Sequence, residues 1–132
     1  MPTTLTSLFT PANLVNGTWS VEGDGTYNTV ADKYHGTELA KLPNATEAQM
    51  EDAIAAAYAS RDALKNMSAE GRSKVLAHLA DKISLHELEI VDLIVKEAGK
   101  PRMAAHIEVA RSITTLRTAA AEALRFGGEM TP

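Results

Sequence analysis

The tripeptide Gly99-Lys100-Pro101 constrains this chain more than any other stretch, because it stops one helix and starts the next within three residues. Upstream, Leu88, Val91, Ile94 and Val95 recur at helical spacing, and Lys96 supplies a cation to the last turn, where it suits the helix dipole. Glycine readily takes the left-handed conformation that ends a helix. Proline opens one, since its fixed φ suits the first helical position and its missing N–H is not needed there. Downstream, Ile107, Ala110, Ile113, Arg117, Ala120 and Leu124 lie three or four residues apart until Gly127-Gly128 stops the pattern. A helix over 102–126 is predicted, about 37 Å long at roughly 1.5 Å per residue.

Before this pair the chain reads as an extended region followed by further helices. Asn16-Gly17 is a strong two-residue hairpin signal, flanked by Leu14-Val15 and Trp19-Ser20-Val21. Gly23-Asp24-Gly25 makes the next turn, Thr26 to Ala31 has the composition of a strand, and a turn at 33–36 leads to a second strand over 37–42. Pro43-Asn44-Ala45 breaks the sheet. Thr46-Glu47-Ala48-Gln49 matches a capping box, so a helix is expected from there to Asn66. Ser68 is the next cap candidate. Ser84-Leu85-His86-Glu87 matches a second box, which predicts a break near Ser84. The expected fold class is mainly α with a small N-terminal antiparallel β region. Its divisions are a loosely ordered arm over 1–13, the β region over 14–42, four helices over 43–130, and an unfinished end at 131–132.

One domain suits 132 residues, and 45% hydrophobic content argues against disorder. A net charge of -4 gives no electrostatic reason to expect a nucleic-acid partner. The longest apolar run is far below the roughly 20 residues of a membrane span, so no membrane partner is expected. The N-terminus lacks a basic region before an apolar stretch, unlike a secretory signal. With no cysteine, these residues hold no disulfide, zinc-thiolate site or cysteine nucleophile, which is compatible with a cytoplasmic location.

The polar residues read mainly as structural. Gly17, Gly23 and Gly25 miss the G-x-G-x-x-G spacing of a dinucleotide loop and read as turn glycines. His35, His78, His86 and His106 show no metal-ligand spacing, and His106 and Glu108, two apart, do not share a helix face. The acids at 47, 51, 52, 87 and 89 sit at helix starts, where the dipole favours them. Lys100 and Arg102 at a helix start oppose that dipole, and a helix–helix corner is favoured over an anion site. Glu108, Arg111 and Ser112 form a polar seam at i,i+3 and i,i+4 spacing. No metal site, no cofactor site and no complete catalytic machinery is expected on these residues.

Several stretches, in order, carry a resemblance. They are Leu14-Val15-Asn16-Gly17-Thr18-Trp19; the turn Asp32-Lys33-Tyr34-His35-Gly36-Thr37; Ala53 to Ala63; Ser68-Ala69-Glu70-Gly71-Arg72; and Lys96-Glu97-Ala98-Gly99-Lys100-Pro101 followed by Glu108-Val109-Ala110-Arg111. Together they resemble the N-terminal region of the aldehyde dehydrogenase superfamily. The 32–37 turn departs from the Asn-Pro-x-x-Gly-Glu pattern usual there. The resemblance implies an N-terminal fragment of an α/β enzyme, with the helical part belonging to the parent's cofactor-binding domain. It implies NAD(P)-dependent oxidation of an aldehyde, to an acid or thioester, by a cysteine nucleophile in the full-length parent. The nucleophile, general base, oxyanion donor and cofactor-binding residues have no counterparts here, so no catalytic or cofactor-binding residue is assigned and the chain alone is expected to be inactive. By position, Glu108, Arg111 and Ser112 neighbour a substrate entrance in such a parent. The implied partner is the remainder of the parent polypeptide, with self-association through the long helix and the β region. The alternative is a non-enzymatic helical interaction module that keeps the family fold.

Overall fold

The computed structural model describes residues 11–127. The arm expected over 1–13 lies outside the described residues except for its last three, and the chain beyond 127 lies outside them too. The described chain divides into two compact units. One runs through Lys65 and includes Leu93–Gly99; the other comprises Asn66–Asp92 and the residues from Lys100 onward.

The first unit holds the expected antiparallel β region, as two separate two-stranded sheets among the described residues. Strands β1 (Asn13–Val15) and β2 (Thr18–Ser20) pair across Asn16-Gly17, and both turn residues have positive φ, 47° and 76°. That is what a tight hairpin with right-handed strand twist demands. Strands β3 (Tyr27–Ala31) and β4 (Glu38–Pro43) pair from Tyr27 opposite Pro43 to Ala31 opposite Glu38. The register slips between Val30 and Ala31, leaving Leu39 as the extra residue of a bulge. Pro43 therefore ends β4 rather than breaking it. The Asn44 carbonyl accepts from the Asp24 N–H at 2.9 Å. A Cβ on Gly23 would lie 2.2 Å from that carbonyl oxygen, so the close approach requires glycine.

Helix α1 (Glu47–Ala59) begins with the expected capping box: Gln49 N–H donates to Thr46 Oγ1, and Thr46 N–H donates to Gln49 Oε1. Gln49 Nε2 also donates to the Glu22 carbonyl, tying the helix to the loop after β2. The helix does not continue to Asn66. It ends at Ser60, whose hydroxyl donates back to the Ala57 carbonyl, and α2 (Arg61–Asn66) follows. A serine side chain that bonds the preceding turn competes with the helix ladder, and this makes five helices among the described residues where four were expected.

In the second unit, Ser68 caps α3 (Ala69–Leu85) by accepting from the Gly71 N–H. The capping box expected at Ser84 does not form, but the break expected near it does, two residues on. Helix α3 runs on through Leu85 and stops at His86, whose N–H is shared between the Lys82 and Ile83 carbonyls. The His86 Nδ1 then lies 2.8 Å from Glu89 Oε2 in the first turn of α4 (Glu87–Ala98), so histidine takes the place given to serine. Helix α5 (Arg102–Ala123) is about 33 Å long at roughly 1.5 Å per residue, one turn short of the sequence estimate. Leu124 and Arg125 form the closing turn, with their N–H groups on Ala121 and Glu122. Pro101, with ψ 139°, is the cap itself rather than the first helical residue.

The core of the second unit is built from small residues: Ala80 of α3, Val91 of α4, and Ala105, Val109 and Ala120 of α5. Helices α3 and α5 pack along much of their lengths, and alanine at the contact lets their backbones approach. Replacing Ala120 by Leu overfills this interface. The variant should lose about 1–3 kcal/mol in urea unfolding, whereas Leu at the exposed Ala110 should change stability by less than about 0.5 kcal/mol.

Candidate functional site

Two polar clusters stand out, one in each unit. In the first, Asp32 closes the β3–β4 turn and is 6% exposed. Its Oδ1 accepts the backbone N–H groups of Tyr34 and His35 at 2.8 and 2.9 Å, and its Oδ2 lies 3.1 Å from His35 Nδ1. Its backbone carbonyl accepts from the Gly36 N–H, and its own N–H donates to the Thr37 carbonyl. Gly36, at φ 70°, supplies the left-handed step. One residue on, the Lys33 N–H donates to the Lys96 carbonyl at 2.8 Å, and a Cβ on Gly99 would lie 3.2 Å from Lys33 Cβ. The turn therefore docks on the last residues of α4. The backbone N–H and ring of His35, joined by the Tyr34 N–H, hold the Asp32 carboxyl down at about 2. Hydrogen bonds from Thr26 to Asp24, through its hydroxyl first and then its N–H, lower that carboxyl in the same way.

In the second unit, Lys100 Nζ pairs with Glu108 Oε1, and Arg102 pairs with Asp92 Oδ1. Both cations at the start of α5 thus meet a carboxylate of the chain itself, as a helix–helix corner requires. The Lys100 hydrogen bond, helped by the charges of Lys100 and Arg111, lowers the Glu108 carboxyl below the usual range. The seam expected from sequence therefore has a different partner. Glu108 reaches eight residues back to Lys100, Arg111 is exposed and adds only its field, and Ser112 Oγ donates to the Glu108 backbone carbonyl. Nearby, His106 Nδ1 is 3.3 Å from Glu87 Oε1. Local spacing could not reveal the Lys100 pairing. The Asp32 turn did carry a signal that went unused: an aspartate just ahead of a glycine-ended turn is the residue that bonds its own backbone two residues on.

The Asp32 carboxylate binds and orients backbone, whereas the Lys100, Arg102 and His106 pairs join side chains to one another. Among the described residues no group of three or more His, Asp or Glu side chains converges to hold a metal ion. Among them, too, the glycines are turn and helix-end residues. An open groove of about 510 Å³ is lined by Val15, Asn16, Asp52, Ala55, Ala56 and Ala59, with one carboxylate and no partner for it.

The Asp32 turn predicts a pH dependence. Its folded pKa of about 2 lies below the ordinary value of 3.8, so its contribution is complete above pH 4 or so and is lost as pH falls through about 2. Carbon-detected NMR titration should place the Asp32 carboxyl midpoint near 2. Protection of the Tyr34 and His35 amides, relative to their intrinsic exchange rates, should fall over that window, and in Asp32→Ala it should be low at every pH.

Set beside known proteins, the model for the aldehyde dehydrogenase family matches residues 19–132. The chain is 34% identical over 131 residues to 3-sulfolactaldehyde dehydrogenase of Priestia aryabhattai, covering 98% of this chain and 26% of that protein. Two solved structures superpose on it closely. A NAD-dependent benzaldehyde dehydrogenase from Corynebacterium glutamicum gives a TM-score of 0.87 at 25% identity, over 98% of this chain and 28% of that one. The NADP-dependent glyceraldehyde-3-phosphate dehydrogenase from Bacillus halodurans C-125, complexed with NADP, gives 0.84 at 30% identity, over 92% of this chain and 26% of that one. The chain spans about a quarter of the length of the curated relatives it matches. It belongs to the aldehyde dehydrogenase family.

Proposed function

We propose that this chain is the N-terminal portion of an NAD- or NADP-dependent aldehyde dehydrogenase and is inactive by itself. The observation that carries the proposal is the family match over residues 19–132, in a chain about a quarter as long as its relatives. The absence of cysteine agrees with it, because the nucleophile of the implied reaction must come from elsewhere in the polypeptide. In this reading the chain supplies packing, not chemistry, to a cytoplasmic enzyme that turns an aldehyde into an acid or thioester. Its partner is the remainder of that polypeptide. Glu108, Arg111 and Ser112 lie near the substrate entrance. Glu108 is committed to Lys100 and the Ser112 proton to a backbone carbonyl, which leaves the Arg111 guanidinium as the group of the three free to meet a substrate.

A second reading is a non-enzymatic interaction module that keeps the family fold. It is favoured by α1, where none of the thirteen residues is buried. Antibody capture from cells that encode the chain, followed by intact-mass measurement and a nicotinamide-reduction assay, separates the two. The first reading expects a polypeptide several times longer that reduces NAD or NADP when given an aldehyde. Recovery of the 14.1 kDa chain alone, without turnover, establishes the module. The purified 132-residue chain should reduce neither nucleotide with aliphatic or aromatic aldehydes.

A further inference from the structure

Five consecutive backbone N–H groups in the β3–β4 turn all have acceptors. Four of them stay inside it. The Asp32 N–H donates to the Thr37 carbonyl, those of Tyr34 and His35 donate to Asp32 Oδ1, and that of Gly36 donates to the Asp32 carbonyl. The fifth, Lys33, points out of the turn and donates to the Lys96 carbonyl at 2.8 Å. Asp32 thus fixes the backbone on both sides of the one donor that leaves. Because Asp32 is itself buried, little water competes for its bonds.

The Lys96 carbonyl is a place where such a donor is needed. The last carbonyls of a helix have no partner within the helix. At the end of α4 the Gly99 N–H donates back to the Val95 carbonyl at 3.0 Å, with Gly99 at φ 69°. This is the left-handed ending that closes with a single bond, and it leaves the next carbonyl, Lys96, open. A helix that continued would offer that carbonyl the N–H of Lys100. Here the β3–β4 turn supplies the donor instead. Glycine suits the junction twice over: its φ is left-handed, and a Cβ at this position would lie 3.2 Å from Lys33 Cβ.

We propose that the β3–β4 turn is a clasp that ends α4, and that Asp32 acts on the last turn of that helix through the Lys33 N–H. The carboxylate bonds of Asp32 lie within its own turn, so its effect on the helix is indirect. The coupling is reciprocal. Whatever loosens the turn frays the helix end, and whatever strains the helix end loosens the turn by the same free energy. Asp32, Lys33, Lys96 and Gly99 all belong to the first unit, so the clasp is internal to it and stands apart from the family's activity.

Native-state amide exchange of the 132-residue chain reads this coupling residue by residue. Asp32→Ala should lower protection at Lys33 and Gly99 by about two- to tenfold, the loss expected for one modest hydrogen bond. Asp32→Asn keeps an acceptor for the Tyr34 and His35 N–H groups and should lose less. Asp24→Ala unties the Thr26 turn elsewhere in the same unit and should leave Lys33 and Gly99 unchanged. Gly99→Ala sets a methyl group against Lys33 and should lower protection at Tyr34 and His35. The Val109 amide of the second unit should keep its protection in all four variants, which excludes general unfolding. Unchanged protection at Lys33 and Gly99 in Asp32→Ala, an equal loss there in Asp24→Ala, or unchanged protection at Tyr34 and His35 in Gly99→Ala would overturn the proposal.

Discussion

The close approach of α3 and α5 is the constraint on which the second unit depends, and alanine makes it possible. Ala80, Ala105 and Ala120 are buried, and each contributes little apolar area. Their value is steric: a methyl group at the contact leaves room for the two backbones to come together. Among the described residues of this unit, the larger side chains buried to the same degree are Val91 and Val109. Fully burying a valine contributes about 1.5–3 kcal/mol, so two of them and three alanines make a modest core. A core of this kind is sensitive to added volume, because a methyl group at a close contact leaves no room for a larger side chain.

The first unit is held differently. Among its described residues only Asp32 and Pro43 are buried, and no large apolar side chain is. Its order comes from hydrogen bonds that fix turns. Asp32 gathers the 32–37 turn, Asp24 gathers the Thr26 turn, and Asn44 joins Thr26 and Asn28 through its side chain at 2.7 Å each. Each such bond contributes only modestly when solvent competes for it. Directional bonds of that strength specify conformation well and stabilise it weakly. Leu14, Trp19, Tyr27, Met50, Ile54 and Tyr58 remain exposed around this polar framework. Scattered singly such residues are ordinary; gathered on one small unit they mark surface suited to burial against something else.

Local chemistry was legible in the sequence, and pairing at a distance was not. Asn16-Gly17, the Thr46 box and the Ser68 cap are contained within four residues each and formed as read, and the Gly99-Pro101 stop and start formed with Pro101 one position earlier, as the cap. The errors lie where two local signals compete. At Ser60 a hydroxyl interrupts a run of good helix formers, and near Ser84 the expected break formed but with His86 in the capping place given to serine. The alanines that decide the core carry almost no signal, because alanine is as common on helix surfaces as within them. For the candidate site, Glu108 was singled out correctly as a charged position with partners, but its partner was misread. An i,i+3 or i,i+4 rule sees only one helix, and Lys100 precedes α5, so it falls outside the rule.

That misreading matters for how the start of α5 works. Pro101 gives no side-chain cap, and Lys100 and Arg102 bring positive charge to the positive end of the dipole. Left alone, this arrangement is unfavourable and invites an anion. The chain answers with its own carboxylates, Glu108 for Lys100 and Asp92 for Arg102, one from within α5 and one from α4. Lys100 in turn keeps Glu108 ionised to lower pH than an isolated glutamate, so the neutralisation persists across the range in which carboxylates begin to titrate. An external anion would have to displace a tethered carboxylate at high effective concentration. The local basicity of Lys100-Pro101-Arg102 is therefore spent on fixing a corner, and the sequence feature that most constrains the fold is for the same reason a poor place to look for a ligand.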